Sequence, residues 1–418
     1  MLIQFNFSNF KSYKEEVSLD MTATSIKEHP YNLISNIKNE NYLKTAAVYG
    51  ANASGKTGIF DAFDFMRDLI LTSFRRESDK KGIPLKRFAF DKLSKNGRSE
   101  FEVFFNDQNK EYQYGFTVDN KKVYEEWLYK RDFRGKNKYK TLFERRNDKI
   151  ICSDDLKNAC KFVDLVEDST LFLSLISNAK IKEAKNVYKW FYNTEVIHFG
   201  NVAIEGYLNR LLPVRELKDP RYKDGLEQFL KAIDVGIEGI RIEKMKDLTG
   251  EEDESIYKVY SKHRMADGSG YVEIPFHEES SGTQKMFCMY YFLTEVLESG
   301  DVLFIDELDA KLHPLLLRYI ISMFHNPDIN KNNAQLIYST HDISMLTKES
   351  FRRDQIWFAE KDHRGVSNLY SLAEYKLDSD KKVRNDATYN KDYLTGRYGA
   401  IPLLKEFYPV EEKRYGIR

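Results

Sequence analysis

The chain has 418 residues, enough for two or three domains of roughly 100–200 residues each. Its 65 Lys and Arg balance 65 Asp and Glu, which argues against a chain built as a polycation, although a local basic patch remains open. A composition of 42% hydrophobic and 14% aromatic residues excludes wholesale disorder, and three cysteines cannot make a disulfide framework. Cys152, Cys160 and Cys288 read as reduced, buried thiols of a cytoplasmic protein. No stretch approaches the ~20 apolar residues that cross a bilayer, so no membrane contact is expected.

Strand signal opens the chain at Leu2, Phe5, Phe7 and Phe10, then Val17 and Leu19. Ala46-Ala47-Val48-Tyr49 reads as a buried strand. It runs into Gly50-Ala51-Asn52-Ala53-Ser54-Gly55-Lys56-Thr57, after which Ile59, Phe63, Met66 and Ile70 recur at helical spacing. Phe101, Val103 and Phe105 alternate, as do Tyr112, Tyr114 and Phe116, around the turn Asn106–Asn109. That pattern is an antiparallel hairpin. Residues 121–149 carry eleven Lys or Arg against five Asp or Glu, with aromatic residues between them. They read either as a grip on a nucleic-acid backbone or as strands with solvated outer faces. Residues 154–235 look mainly helical, and Glu251–Glu254 looks like an acidic loop. Compact α/β signals return with a helix over Lys285–Leu297, a strand Val302–Ile305 and a helix near Leu315–Phe324. Strands at Gln335–Tyr338 and near Gln355–Phe358 close the series.

The residues Gly50-x4-Gly55-Lys56-Thr57 match the phosphate-binding loop in full. Glycines let the backbone turn its N–H groups onto phosphate oxygens, and the helix N-terminus adds its positive end. Lys56 should bridge the terminal phosphates and Thr57 should ligate Mg²⁺. Val302–Ile305 then delivers Asp306 for the metal and Glu307 for the attacking water. Upstream of them lies Ser281-Gly282-Thr283-Gln284 within Glu279–Gln284, and downstream Ser339-Thr340-His341-Asp342 ends a strand.

In this order the chain resembles the ABC-type and SMC-like ATPases, over roughly its first 60 residues and residues 275–345. The resemblance implies an α/β, ABC/SMC-like P-loop nucleotide-binding head with an inserted β-hairpin and helical lobe. It implies ATP and Mg²⁺ as cofactors, with Gly50, Ala51, Asn52, Ala53, Ser54, Gly55, Lys56 and Thr57 at the phosphates. Glu307 and His341 are its catalytic residues, and Thr57 and Asp306 its metal ligands. Ser281, Gly282, Thr283 and Gln284 would reach, together with Asp309 of the D-loop, the nucleotide of a second protomer. Ser280 and Thr283 depart from the common Leu-Ser-Gly-Gly-Gln, and no Q-loop glutamine is placed. Asn9-Phe10-Lys11-Ser12 resembles the segment that opens SMC-like heads, which puts Lys11 and Ser12 near base and phosphates; a plain strand–turn is the alternative.

At family level, the Asn-Ala-Ser-Gly-Lys loop, the Ser-Ser-Gly-Thr-Gln signature and the tail Tyr393–Pro402 resemble the AAA_15/AAA_21 ATPases of phage-defence operons, such as OLD-like, RloA/AbiLi-type and PARIS-type subunits. The resemblance implies an ATP-dependent homodimer or higher oligomer that controls a separately encoded effector, a Toprim or RloB-like nuclease, in answer to a phage protein or nucleic acid. The segment after His341 is short of the ~100 residues a Toprim domain needs, and Asp378-Ser379-Asp380 lacks a preceding buried strand. The rival is an SMC-like DNA clamp in repair or maintenance. The expected organisation is the N-terminal head over 1–90, antiparallel β with the basic stretch over 91–150 and a helical insertion over 151–240. The C-terminal head follows over 241–360, then a tail for partner docking over 361–418.

Overall fold

The computed structural model describes residues 1–37, 40–76, 82–132, 138–147, 149–200, 219–233, 236–244, 257–375 and 387–402. In chain order the strands are β1 (Leu2–Ser8), β2 (Val17–Asp20), β3 (Leu33–Ile37), β4 (Glu40–Leu43), β5 (Thr45–Tyr49) and β6 (Ser99–Asp107). There follow β7 (Lys110–Val118), β8 (Val123–Asp132), β9 (Lys140–Arg146), β10 (Lys149–Cys152), β11 (Glu195–His198) and β12 (Ile237–Lys244). The last are β13 (Tyr257–Arg264), β14 (Tyr271–Pro275), β15 (Val302–Asp306), β16 (Gln335–Ser339), β17 (Ile356–Lys361) and β18 (Ser367–Ser371).

Two large sheets organise them. One is antiparallel, in the order β10-β9-β8-β7-β6-β1-β2. The other runs β11-β15-β16-β5-β17-β18 and is parallel up to its antiparallel edge strand β18. The central strands β5, β15 and β16 are buried throughout, as a parallel sheet covered on both faces requires. Their side chains alternate between two cores. Ala46, Val48, Val302, Phe304 and Ile337 face the P-loop helix (Lys56–Thr72) and the antiparallel sheet. Ala47, Tyr49, Leu303, Ile305, Leu336 and Tyr338 face the signature helix (Ser281–Ser299), the helix Pro314–His325 and the tail. The P-loop helix turns Ile59, Phe63, Met66 and Ile70 inward, and Phe63 stacks on Phe304 at 4.2 Å between centroids. That contact fixes the phosphate-loop helix to the strand that ends in Asp306.

Four expectations are corrected. The antiparallel strands are no separate insertion, because β1 pairs with β6 and the sheet begins at the chain's first residues; alternation shows a strand but not its distant partner. The region expected to be a helical insertion does hold helices at Phe172–Asn178, Lys182–Asn193 and Pro220–Ile233. It also contains β11, which joins the ATPase sheet beside β15 with His198 opposite Asp306. Four residues are too few to show a period among helical neighbours. The thiols are not uniformly buried either: Cys288 is, Cys152 is half-buried and Cys160 is exposed. The hairpin turn is tighter than expected, with Gln108 and Asn109 alone between β6 and β7, both left-handed at φ 48° and 63°. The acidic loop and Asp378–Asp380 lie outside the described residues. No helix among the described residues is long and apolar enough to cross a membrane.

One buried network sets an acid limit on the fold. The His325 ring lies 2.9 Å from Thr45 Oγ1 and 3.4 Å from Gln355 Nε2, and burial pushes it down to about 3. The unfolded chain, with its histidine near 6.5, therefore binds the extra proton between about pH 6.5 and 3. Stability from this group is full above that window and is lost as pH falls through it, by up to about 1.4 kcal/mol per pH unit. Urea midpoints between pH 7 and pH 4 should fall less steeply in His325→Gln than in the wild type.

Candidate functional site

The phosphate loop lies where β5 gives way to the P-loop helix. Gly55 takes φ 119°, and a Cβ there would stand 2.6 Å from Ser367 Oγ, so both backbone and space demand glycine. Ala53 is left-handed too, at φ 60°. Ser367 Oγ donates to the Ser54 carbonyl at 2.7 Å and the Tyr13 hydroxyl to the Gly55 carbonyl at 3.1 Å, bracing the loop from outside. Lys56 folds back over the loop, its Nζ donating to the Gly50 carbonyl at 2.8 Å and the Ala51 carbonyl at 3.0 Å. Burial pushes its ammonium down to about 8, against the pull of Asp306, Glu307 and Asp309. Asn52, Ala53 and Thr57 are exposed. Ser12 lies beside the loop, 2.8 Å from Ser367 Oγ, while Lys11 pairs with Asp61 of the P-loop helix.

Opposite the loop, Asp306 is 3% exposed. Burial raises its carboxyl, but the neighbouring His198, Ser339 and Thr57 side chains hold it below the usual carboxylate range. Ser339 Oγ does double duty: it donates to Asp306 Oδ1 at 2.5 Å and accepts the Glu307 N–H at 2.8 Å. Glu307 is left-handed at φ 55°, and its carboxylate lies so close to Gly200 that a Cβ there would come within 2.3 Å of Oε2. Asp309 Oδ2 accepts the His341 N–H at 3.1 Å. Burial and then Lys56 lower the His341 ring, opposed by Asp309, Glu307 and Asp306. Lys56, Thr57, Asp306, Glu307, Asp309 and His341 thus form one neighbourhood.

The signature residues form another. Ser280 caps the signature helix by accepting the Thr283 N–H at 3.1 Å, and the Thr283 hydroxyl turns back to Ser280 Oγ at 2.8 Å. Gln284 Nε2 donates to the His277 and Glu279 carbonyls at 3.0 and 2.7 Å. Ser281 is exposed, and a Cβ on Gly282 would meet the Lys311 carbonyl at 3.1 Å.

Sequence reasoning missed His198. Its Nδ1 is 3.8 Å from Asp306 Oδ2 and its Nε2 is 3.9 Å from Asp64 Oδ2. Burial lowers the ring, and Asp306, Asp61 and Asp64 raise it to a net upward shift. Only the pairing of β11 with β15 brings it there, and no local pattern announces that pairing.

The donor set suits a hard cation: a threonine hydroxyl and a carboxylate held ionised, beside a loop made for phosphate. Mg²⁺ keeps several waters and takes phosphate oxygens, so two protein oxygens are enough. Among the described residues, no group of three or more His, Cys, Asp or Glu could hold a metal by itself.

Part of the charge in the basic stretch is spent inside the protein. Arg131 grips Glu111 through two hydrogen bonds of 2.8 and 2.7 Å, and Lys130 pairs with Asp155 and Glu183. Buried Arg145 donates to the Thr170 carbonyl at 2.7 Å. Residues 133–137 of the stretch lie outside the described residues. In the tail, Tyr393 stacks on Phe358 of the parallel sheet, and Tyr398 bonds Asp392 at 2.9 Å.

A mixed α/β head with this loop and these carboxylates is an ATP-binding P-loop ATPase. A family model described as "AAA domain, putative AbiEii toxin, Type IV TA system", AAA_21, matches residues 46–346, and the chain belongs to that family. Solved structures with a similar chain path include the head of an SMC protein bound to the C-terminal winged-helix domain of ScpA, at 13% identity and a TM-score of 0.43. Another is the recombination mediator RecF with ATP, at 13% identity and a TM-score of 0.34. Each match covers 88% of this chain and 97% of the other. No curated protein matches.

Proposed function

We propose that the chain is the ATP-gated switch subunit of a bacterial antiphage, abortive-infection system. Two heads sandwich two ATP–Mg²⁺ molecules, and each signature turn completes the other protomer's site. One observation carries this reading: the rim of the phosphate loop and the Ser281 turn are both exposed on one protomer, as two half-sites would be. In each site Thr57 and Asp306 would hold Mg²⁺, whose charge offsets that of the phosphates. Lys56 binds the terminal phosphates, Glu307 takes the proton of the attacking water, and His341, braced by Asp309, faces the γ-phosphate. Ser281, Gly282 and Gln284 close the site from the partner, while Thr283 acts as a capping residue. ATP then favours the engaged pair only as far as it binds that state more tightly.

The family's printed description, which names an AbiEii toxin of a type IV toxin–antitoxin system, supports the defence reading. The effector is a nuclease on another polypeptide, docked through the tail of residues 361–418 in the cytoplasm, and a phage protein is the trigger. The internal pairing of Lys130, Arg131 and Arg145 favours a protein trigger over a DNA clamp.

The test is ATP turnover per subunit against protein concentration, with and without linear duplex DNA. Turnover should rise with concentration and ignore DNA. Ser281→Arg should bind nucleotide within about 3-fold of wild type yet turn over at least ~10-fold more slowly. Normal hydrolysis by that variant would sink the sandwich. DNA stimulation that fades as salt rises would favour the clamp.

A further inference from the structure

The signature helix touches the turn that follows Glu307 through a buried cation. Lys285 lies one helical turn beyond Ser281 and is 7% exposed. Its Nζ donates to the Leu308 carbonyl at 2.8 Å and the Ala310 carbonyl at 2.7 Å, and lies 4.0 Å from the centre of the Phe199 ring. A buried ammonium is costly unless it is bonded, so these contacts fix where Lys285 can sit. The two carbonyls flank Asp309, the residue that accepts the His341 N–H. Phe199 adjoins Gly200, against which the Glu307 carboxylate packs. Closer to the helix start, Gly282 faces the Lys311 carbonyl.

The turn itself is bounded by two left-handed residues, Glu307 at φ 55° and Lys311 at φ 61°. Such conformations persist only where neighbours hold them. The helix start is therefore joined at two points to a turn that carries the hydrolytic carboxylate at one end. We propose that Lys285 is a positioning residue that transmits seating of the signature turn on the partner's nucleotide to Asp309 and Glu307 of its own site. A helix moves as a unit, so a shift at Ser281 reaches the Leu308 and Ala310 carbonyls through Nζ. This coupling rests on the two-headed arrangement proposed above. It adds that hydrolysis in one site depends on occupancy of the other.

The test compares Lys285→Met and Lys285→Arg with the wild type. Methionine keeps the length and the apolar contact with Phe199 but removes the donors. Three measurements are needed: equilibrium binding of a fluorescent ATP analogue, ATP-dependent dimerisation by sedimentation, and KM and kcat at saturating protein. Lys285→Met should keep analogue affinity and KM within about 3-fold and should still dimerise, while kcat falls at least ~30-fold. Lys285→Arg should recover kcat to within about 3-fold of wild type. If the methionine variant does not fold, Lys285→Gln, which keeps two uncharged N–H donors on a shorter side chain, should give an intermediate kcat at unchanged KM. A folded methionine or glutamine variant with kcat within about 2-fold of wild type, in a protein that dimerises with ATP, overturns the coupling alone. So does a rise in KM at unchanged kcat. Flat turnover per subunit with no ATP-dependent dimer in the wild type overturns the two-headed arrangement and the coupling with it.

Discussion

Glu307→Gln is expected to bind ATP as the wild type does while turning it over about 10²–10³-fold more slowly, the range lost with a positioned general base. The substitution keeps the shape of a side chain that lies against Gly200, and it leaves the Glu307 N–H on Ser339 Oγ in place. Only the capacity to accept a proton is removed. Binding should survive because Asp306 and Lys56 are untouched, and ATP should accumulate on an engaged dimer that wild type would dissolve by hydrolysis. Single-turnover kinetics together with sedimentation in ATP would check both halves. Turnover within about 5-fold of wild type would remove Glu307 from the chemistry.

Lys56→Ala should weaken ATP binding by about 10²–10⁴-fold, the loss of two charge-assisted hydrogen bonds of about 1.5–3 kcal/mol each. In the structure the ammonium rests on the Gly50 and Ala51 carbonyls, over the loop that phosphate would fill. A bound triphosphate gives that buried charge a stronger partner than two neutral carbonyls. Alanine offers nothing at that point. Retained micromolar affinity, by calorimetry or a fluorescent analogue, would sink the phosphate-loop assignment.

What was legible in the sequence was contiguous. Gly50–Thr57 names itself because one loop supplies all its donors, and Val302–Glu307 because a buried strand must end before its carboxylates can face a ligand. The strand alternation of residues 99–118 was readable for the same reason, down to a turn two residues wider than the real one. What was hidden was assembled across the sheet. His198 meets Asp306 only because β11 lies beside β15. Ser367 braces the loop from an edge strand more than three hundred residues downstream of it. The basic stretch stayed open between two readings for a related reason: Arg131 and Glu111 sit on neighbouring strands, so the list of cations did not show which of them were already paired. Lys285 carries no local signal, because its two carbonyl partners belong to a turn more than twenty residues away that the sequence marks only by its acids.

The order of the parallel sheet has a consequence for synthesis. β5 lies between β16 and β17, pairing Thr45 with Leu336 and Ala47 with Ile356. On a ribosome making about 5–20 residues per second, both neighbours follow the phosphate-loop strand by roughly 15–60 s. The antiparallel sheet, whose strands all lie before Ser153, can close during that interval and bury one face of the P-loop helix. β5 meanwhile offers two unpaired, apolar edges to any chain nearby. Pairings this distant make for slow folding, and those edges stay open until β17 emerges. A truncation anywhere before β16 would leave a chain that holds the whole phosphate loop and still cannot build the sheet that supports it.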